Sequence, residues 1–362
     1  MDRSEALARL LAETGFTGAT RTPLAADAST RRYERLQLGD RKAMLMDAPP
    51  SAESKPCPPG ATPDERRAMG WNATARLAAS RVEAFVAVAS YLEGIGLAPP
   101  KIYGADCEAG YAVIEDLGDD LYANIISQGV DEIALYEEAA RVLVHVHGAP
   151  PAPSRLEGVG KASWPLLDYD ALALEVNADL FVEWLPRAAD VRIDDAARAR
   201  WEKIRDGLIV KALGFPRAFT IRDYHAENLL WLPNRDGLQR VGLLDFQDAI
   251  RGWRGWDFSM LLHDARRDVS PAAHEAAVRA YLDASGAGEA AFQRELAVLG
   301  AINTMRILGI FSRLTSRDNK PRYLAFMPRM WGHLGRTLAH PSLADARAFV
   351  NDVARPYLEK AA

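Results

Sequence analysis

Residues 220–248 read TIRDYHAENLLWLPNRDGLQRVGLLDFQD, and the spacing inside that stretch decides how the remainder is read. Asp223 is followed five residues later by Asn228, and then by an apolar run of Leu229, Leu230 and Trp231. A turn from Pro233 to Gly237 leads into a second apolar run, Val241 to Leu244, which delivers Asp245. Two apolar runs around such a turn predict a strand–turn–strand unit. Asp223 emerges just past the apolar segment Ala218 to Ile221, where a carboxylate can enter a cleft. Asn228 can curl back toward the same point, and Asp245 can face it across the ladder. Two carboxylates and an amide converging there form a hard-oxygen site suited to magnesium, which keeps several waters and binds substrate phosphates. An isolated Asp or Asn usually caps a turn or ends a strand. The full D-x-x-x-x-N…D arrangement with both apolar runs is far more specific. It is what phosphoryl transfer asks of a protein: position and charge neutralisation rather than covalent chemistry.

The surrounding chain suits that reading. Its 362 residues exceed one minimal domain and predict two lobes. Hydrophobic residues make up 49% and charged residues 26%, as in an ordinary globular protein able to bury a core. A formal net charge of -5 leans away from a nucleic-acid binder. Cys57 and Cys107 lie far apart, with no C-x-x-C, so neither a zinc site nor a disulfide framework is expected. The N-terminal MDRSEALARLLAETGF carries Glu5 and Glu13 inside its apolar pattern and reads as an amphipathic helix, not a targeting segment. The most apolar segment, Leu296 to Phe311, is interrupted by Asn303 and Arg306, short of the roughly 18 apolar residues a bilayer span needs. A cytoplasmic, monomeric protein with no membrane or nucleic-acid partner is the expectation.

Along the chain, Ser29 to Leu38 and Lys42 to Met46 predict two strands around the turn Gly39-Asp40. Six prolines between Pro49 and Pro63 predict an extended surface loop to about Gly70. Ala75 to Leu92 has helical periodicity, stopped by Gly94 and Gly96, and Lys101 to Ala105 with Tyr111 to Glu115 reads as another hairpin. From Leu121 onward helices dominate, interrupted by the strand pair carrying Asp223 to Asp245. The predicted class is therefore α+β: a small, strand-rich N-terminal lobe over 1–117 and a larger, mainly helical C-terminal lobe over 118–362.

IRDYHAENLLWL at 221–232 and VGLLDFQDAIRGWRGWDFSMLLHDARRDV at 241–269 resemble the aminoglycoside/choline phosphotransferase superfamily, which shares the protein-kinase fold. ASTRRYERL, LMDAPP, LFVEWLP and LLHDARRDV more narrowly resemble bacterial sugar kinases of cell-wall recycling, which phosphorylate the anomeric hydroxyl of N-acetylmuramate and N-acetylglucosamine. The resemblance runs from about Leu24 to Asp268. It implies a two-lobed protein-kinase-like fold, with ATP and Mg2+ as cofactors and an amino sugar as the small-molecule partner.

By that resemblance Asp223 is the catalytic base, and Asn228 and Asp245 are the metal ligands. Leu24 to Tyr33 would cover the ATP phosphates, but this segment lacks glycine, leaving Ser29, Thr30, Arg31 and Arg32 to supply hydroxyls, N–H groups and charge. The family usually pairs a mid-strand lysine with a glutamate on the next helix. Glu83 stands at the glutamate position, whereas Lys42 only opens its strand, so Lys42, Arg31 and Arg32 all stay candidates for the phosphate clamp. Backbone groups around Glu115 to Leu117 would meet the adenine edge.

Glu183 and Trp184 stand where the subfamily is expected to shape the acceptor pocket, the carboxylate toward sugar hydroxyls and the indole as a stacking surface. A solvated acidic face of Glu175, Asp179 and Glu183 is the plainer reading. His225 either touches the acceptor or braces the loop. Asp257 reads as a structural cap or support, and one of Arg251, Arg254, Arg266 and Arg267 could hold a substrate carboxylate. Two rival functions stay open. One is a kinase for another hydroxylated substrate, an aminoglycoside or amino alcohol, though Asp190, Asp194 and Asp195 are mixed with many arginines rather than forming a polycation-binding acidic face. The other is a silent nucleotide-binding scaffold, against which stand the intact Asp223, Asn228 and Asp245.

Overall fold

The structure is a computed structural model that describes residues 2–24, 31–50, 55–78 and 81–361. Ser29 and Thr30 lie outside the described residues. Along the chain run α1 (Arg3–Glu13), β1 (Thr20–Pro23), β2 (Arg32–Leu38), β3 (Arg41–Asp47), α2 (Pro63–Met69), α3 (Val82–Gly94), β4 (Ile102–Asp106), β5 (Tyr111–Ile114) and α4 (Tyr122–Ser127). Next come α5 (Glu132–Gly148), β6 (Arg155–Glu157), β7 (Ser163–Pro165), α6 (Ala171–Ala188), α7 (Asp195–Leu213) and β8 (Arg217–Thr220). β9 (Leu229–Trp231), β10 (Val241–Leu243) and β11 (Ile250–Trp253) precede the closing helices α8 (Arg254–Leu262), α9 (Pro271–Ser285), α10 (Glu289–Ser316), α11 (Met327–Leu338) and α12 (Ala344–Ala361). The class is α+β, as the sequence predicts.

The chain divides into two compact units. The first gathers Met1–Asp131, Ala149–Leu167 and Ile221–Ile250, so the Asp223–Asp245 stretch belongs with the N-terminal sheet. The second gathers Glu132–Gly148, Asp168–Thr220 and Arg251–Ala362.

In the first unit an antiparallel sheet runs in the order β1-β2-β3-β5-β4. The β2–β3 register, Arg32 opposite Asp47 through Leu38 opposite Arg41, closes around Gly39-Asp40, with Gly39 at φ 59. A positive φ at that corner is what a two-residue hairpin turn needs. Ala43 and Leu45 of β3 point into a core with Leu36, Tyr111 and Val113, covered by Leu10 and Phe16 from α1 and the residues after it. Strand alternation sends Met44 and Met46 to the opposite face.

Two sequence expectations change here. The proline-rich stretch is not all loop, because α2 begins at Pro63. Thr62 caps it, accepting from the Glu65 N–H while the Glu65 carboxylate accepts from the Thr62 N–H at 2.8 Å. Proline is harmless at the first helical position, where its missing N–H has no intrahelical partner anyway. The helix expected from Ala75 starts only at Val82; upstream, Asn72–Arg76 form a π-helical turn that ends at Leu77 with φ 70.

The core of the second unit is α10, 28 residues long and packed along α6. Its most apolar window could cross a bilayer by length and composition, but 94% of that window is buried inside the protein, so it serves as a core helix. Gly309 on α10 lies against the backbone of Leu180 on α6, where any Cβ would collide with the Leu180 carbonyl.

Candidate active site

β8 runs into Ile221, and the chain then turns sharply. Arg222 is buried at φ 77, a left-handed conformation unusual for a residue with a Cβ, and it aims the next side chain, Asp223. The loop is stitched from both sides. The Asn228 N–H donates to the His225 carbonyl at 2.8 Å, and the Ala123 N–H in the first turn of α4 donates to the Ala226 carbonyl at 3.1 Å. β9 then pairs with β10, Leu229 opposite Leu243 and Trp231 opposite Val241. One step beyond that register, the Leu244 N–H donates to the Asn228 carbonyl at 2.9 Å. The predicted strand–turn–strand therefore sets Asn228 beside the residue preceding Asp245.

The side-chain amide of Asn228 is oriented by its own bonds. Nδ2 donates to the Asp223 carbonyl at 2.8 Å and lies 3.3 Å from His225 Nε2, so Oδ1 points away from both. His225 thus meets the Asn228 amide within this loop.

Asp245 also sits in the left-handed region, at φ 55. Its Oδ1 accepts from Arg31 Nη2 and, at 2.9 Å, from Gln247 Nε2. Arg31 Nη1 donates to Gln247 Oε1 at 2.7 Å, closing a triangle. Burial works to raise the Asp245 carboxyl, but the charge and hydrogen bond of Arg31, the Gln247 amide and the charge of His225 outweigh it and hold the group below the usual carboxylate range. Burial likewise works to lower Arg31, and Tyr33 and Asp245 overcome it and raise the guanidinium. Phe246 stacks on Phe85 of α3, with ring centroids 4.8 Å apart, fixing the backbone just past Asp245.

These donors fit a magnesium ion bound with nucleotide. Asn228 Oδ1 and the Asp245 carboxylate are hard oxygens, and few protein ligands suit an ion that takes the rest from phosphate and water. Among the described residues no cluster of three His, Cys, Asp or Glu could hold a metal by itself.

The other predicted residues divide. Arg32 opens β2 with an exposed side chain. Lys42 is exposed, Glu83 meets Arg81 at 3.4 Å, and the β3 positions on the same face as Lys42 hold Met44 and Met46. Glu115 spends its N–H on the Lys101 carbonyl, and its carboxylate accepts from Arg235 at 2.6 Å. Among the described residues no hydrogen bond reaches the Leu117 N–H or the Glu115 carbonyl. In the second unit Glu183 is exposed, whereas Trp184 is buried with the Arg187 guanidinium 4.4 Å over its ring and that of Arg317 at 5.8 Å.

The arginines considered for a substrate carboxylate are largely engaged: Arg251 with Asp168 at 2.9 Å, Arg254 with Glu295 at 2.7 Å and Arg267 with Glu132 at 2.6 Å. Asp179, read as part of a solvated face, instead accepts from Trp201 at 2.8 Å and Arg205 at 2.7 Å. Asp257 is buried at 3.2 Å from His147, a support rather than a helix cap. Gln247 and Phe246 were not singled out in the sequence, and only their adjacency to Asp245 pointed to them.

Comparison with known proteins identifies the family. The phosphotransferase enzyme family profile matches residues 20–293. An N-acetylmuramate/N-acetylglucosamine kinase of Caulobacter vibrioides is 51% identical over 350 residues, covering 96% of each chain. One of the same name from Pseudomonas aeruginosa is 34% identical, over 89% of this chain and 85% of its own. Among solved structures, a microcompartment-associated aminopropanol kinase superposes with a TM-score of 0.58 at 13% identity, covering 94% of this chain and 98% of its own. A choline/ethanolamine kinase family protein from Mesorhizobium loti gives 0.54 at 17%, covering 97% and 100%. At such identities the structural likeness carries the fold alone, α+β and protein-kinase-like. With three quarters of its length inside the family profile and half its residues shared with a full-length relative, the chain belongs to the phosphotransferase enzyme family.

Proposed function

We propose that this protein transfers the γ-phosphate of ATP to the anomeric hydroxyl of N-acetylmuramate and N-acetylglucosamine. The observation that carries the reading is the 51% identity, end to end, with a kinase named for those two sugars. Asp223 orients the acceptor hydroxyl and takes its proton. An anomeric hydroxyl is more acidic than an ordinary alcohol, so orientation by an aspartate held on hydrogen-bonded backbone suffices. Asn228 Oδ1 and Asp245 would hold magnesium, which neutralises charge on the nucleotide phosphates when bound. The Glu115 carbonyl and the Leu117 N–H offer an acceptor and a donor two residues apart, matching the amino group and ring nitrogen on an adenine edge. Arg32 borders the phosphates, with Arg31 on their metal side; Glu83 supports α3. In the acceptor region Glu183 meets sugar hydroxyls, and Trp184 acts as the platform that holds Arg187 and Arg317. The nucleotide-clamping role falls to 1–117 and the acceptor role to 118–362. The enzyme would work as a monomer in the cytoplasm, where ATP is supplied, on sugars released from the cell wall.

The test is ADP release across N-acetylmuramate, N-acetylglucosamine, the 1-O-methyl glycoside of N-acetylglucosamine, kanamycin and choline. Turnover is expected on the two free sugars alone. Turnover on the blocked glycoside would move the reaction away from the anomeric position. Turnover only on kanamycin or choline, or on nothing, would overturn the amino-sugar reading.

A further inference from the structure

We propose that Gln247 and Arg31 are positioning residues for Asp245: they clamp one carboxylate oxygen, so that the other is presented to the divalent cation. This rests on the phosphotransfer reading, in which Asp245 receives that cation.

Both donors to the carboxylate converge on a single atom. Arg31 Nη2 and Gln247 Nε2 each donate to Oδ1, and among the described residues no hydrogen bond reaches Oδ2. The side chain of Asp245 keeps 37% of its surface, whereas that of Arg31 keeps 7% and Gln247 is 1% exposed. The open oxygen therefore sits on a carboxylate whose other side is walled by buried, mutually bonded groups. A magnesium ion takes a single oxygen from a carboxylate readily, at near-ideal octahedral geometry, so a held rotamer matters more here than for a tolerant ion.

The chemistry of position 247 is specific. The side chain there must offer an acceptor to a guanidinium and, from the same planar group, a donor to a carboxylate. Glutamine does both, with Oε1 toward Arg31 and Nε2 toward Asp245. Glutamate would keep the bond to Arg31 but set a second carboxylate against Asp245. Leucine would fill the space and do neither. Asp245 needs such help because its backbone, at φ 55, lies where an L-residue is not at rest, and the loop alone does not dictate its side-chain direction. Arg31 comes from a segment 214 residues away, so the clamp also ties β2's entry to the metal side of the site.

The experiment is a Mn2+ titration followed by electron paramagnetic resonance, in the presence of a non-hydrolysable ATP analogue and with no sugar. Gln247→Leu is expected to raise the Mn2+ dissociation constant about tenfold, and Gln247→Glu further, with metal-free nucleotide affinity and far-ultraviolet circular dichroism unchanged. Arg31→Lys keeps the charge but loses the fork that reaches both partners, and is expected to fall between wild type and Gln247→Leu. It carries the test if the Gln247 substitutions do not fold. Unchanged Mn2+ affinity in a folded Gln247→Leu or Arg31→Lys protein overturns the inference. So does an equal loss of metal-free nucleotide affinity, which would mark a general structural defect. Because no acceptor is present, amino-sugar turnover by the wild type, assayed alongside, tests the functional reading separately.

Discussion

At the scale of single residues, the site depends on side chains set by unusual backbone. Arg222 and Asp245 both hold left-handed φ values without being glycine, one immediately before the proposed base and one at the proposed metal ligand. Strain of that kind persists only where neighbours over-determine it, here through the Asn228 bonds and the Arg31–Gln247 triangle. Asp223 itself accepts the Asn228 amide through its backbone carbonyl, not its carboxylate. Asp223→Asn should therefore leave the loop intact while removing the proton acceptor. The expected result is a fall in kcat of about 10²–10⁴-fold, with nucleotide affinity within about a factor of two of wild type. Rapid-quench turnover and equilibrium nucleotide binding measure the two separately. Retained kcat would strip Asp223 of its role. The spacing of Asp223, Asn228 and Asp245 was legible because it is written in one local stretch. The clamp on Asp245 was not, since Arg31 is brought to it by folding and its sequence neighbours suggested only a solvated face or a phosphate contact.

Secondary-structure elements show the same division between local and long-range signals. The β2–β3 hairpin was readable from Gly39-Asp40, and β9–β10 from two apolar runs around a proline–glycine turn. α2 was missed because proline density was weighed above Thr62-Pro63-Asp64-Glu65, a helix start in which proline is tolerated. The break before α3 was missed because Ala75 to Leu92 keeps helical periodicity through a π turn that no breaker residue marks. Close helix packing is equally silent in one sequence. Gly309 looks like a weak point in a long helix, yet it is where α10 meets the Leu180 backbone of α6. Gly309→Ala should thus reverse the usual gain from replacing a helical glycine. An overpacked contact of this kind is expected to cost about 1–3 kcal/mol in urea unfolding. A stabilised Gly309→Ala protein would show that the two helices separate easily.

For the molecule as a whole, composition and periodicity located helices and strands, but not the buried charge balance, which depends on groups brought together from distant segments. In the second unit His263 and His333 stack with centroids 5.1 Å apart, and His274 and Arg336 border the same cavity of about 710 Å3. Burial, reinforced by Arg336, pushes His333 down to about 4; the Asp264 carbonyl, Asp268 and Asp264 oppose that shift without reversing it. Burial, His333, His274 and Arg336 push His263 well below its ordinary value, and burial and Arg336 lower His274. Arg336 Nη2 lies 2.9 Å from His333 Nδ1, which favours the neutral ring as acceptor. In the unfolded chain these imidazoles bind protons near pH 6.5, whereas in the folded one they resist until lower pH. The unfolded state therefore binds more protons across that interval. Stability should be full above about pH 6.5 and decline as pH falls toward 4, by about 3 kcal/mol for His333 alone. Urea midpoints between pH 7.5 and 4 measure the slope. His333→Gln, which keeps polar atoms there but cannot titrate, should flatten it while leaving the pH 7.5 value less affected. An unchanged slope in that variant would place the acid sensitivity elsewhere, because nothing else about His333 changes its proton count over that range.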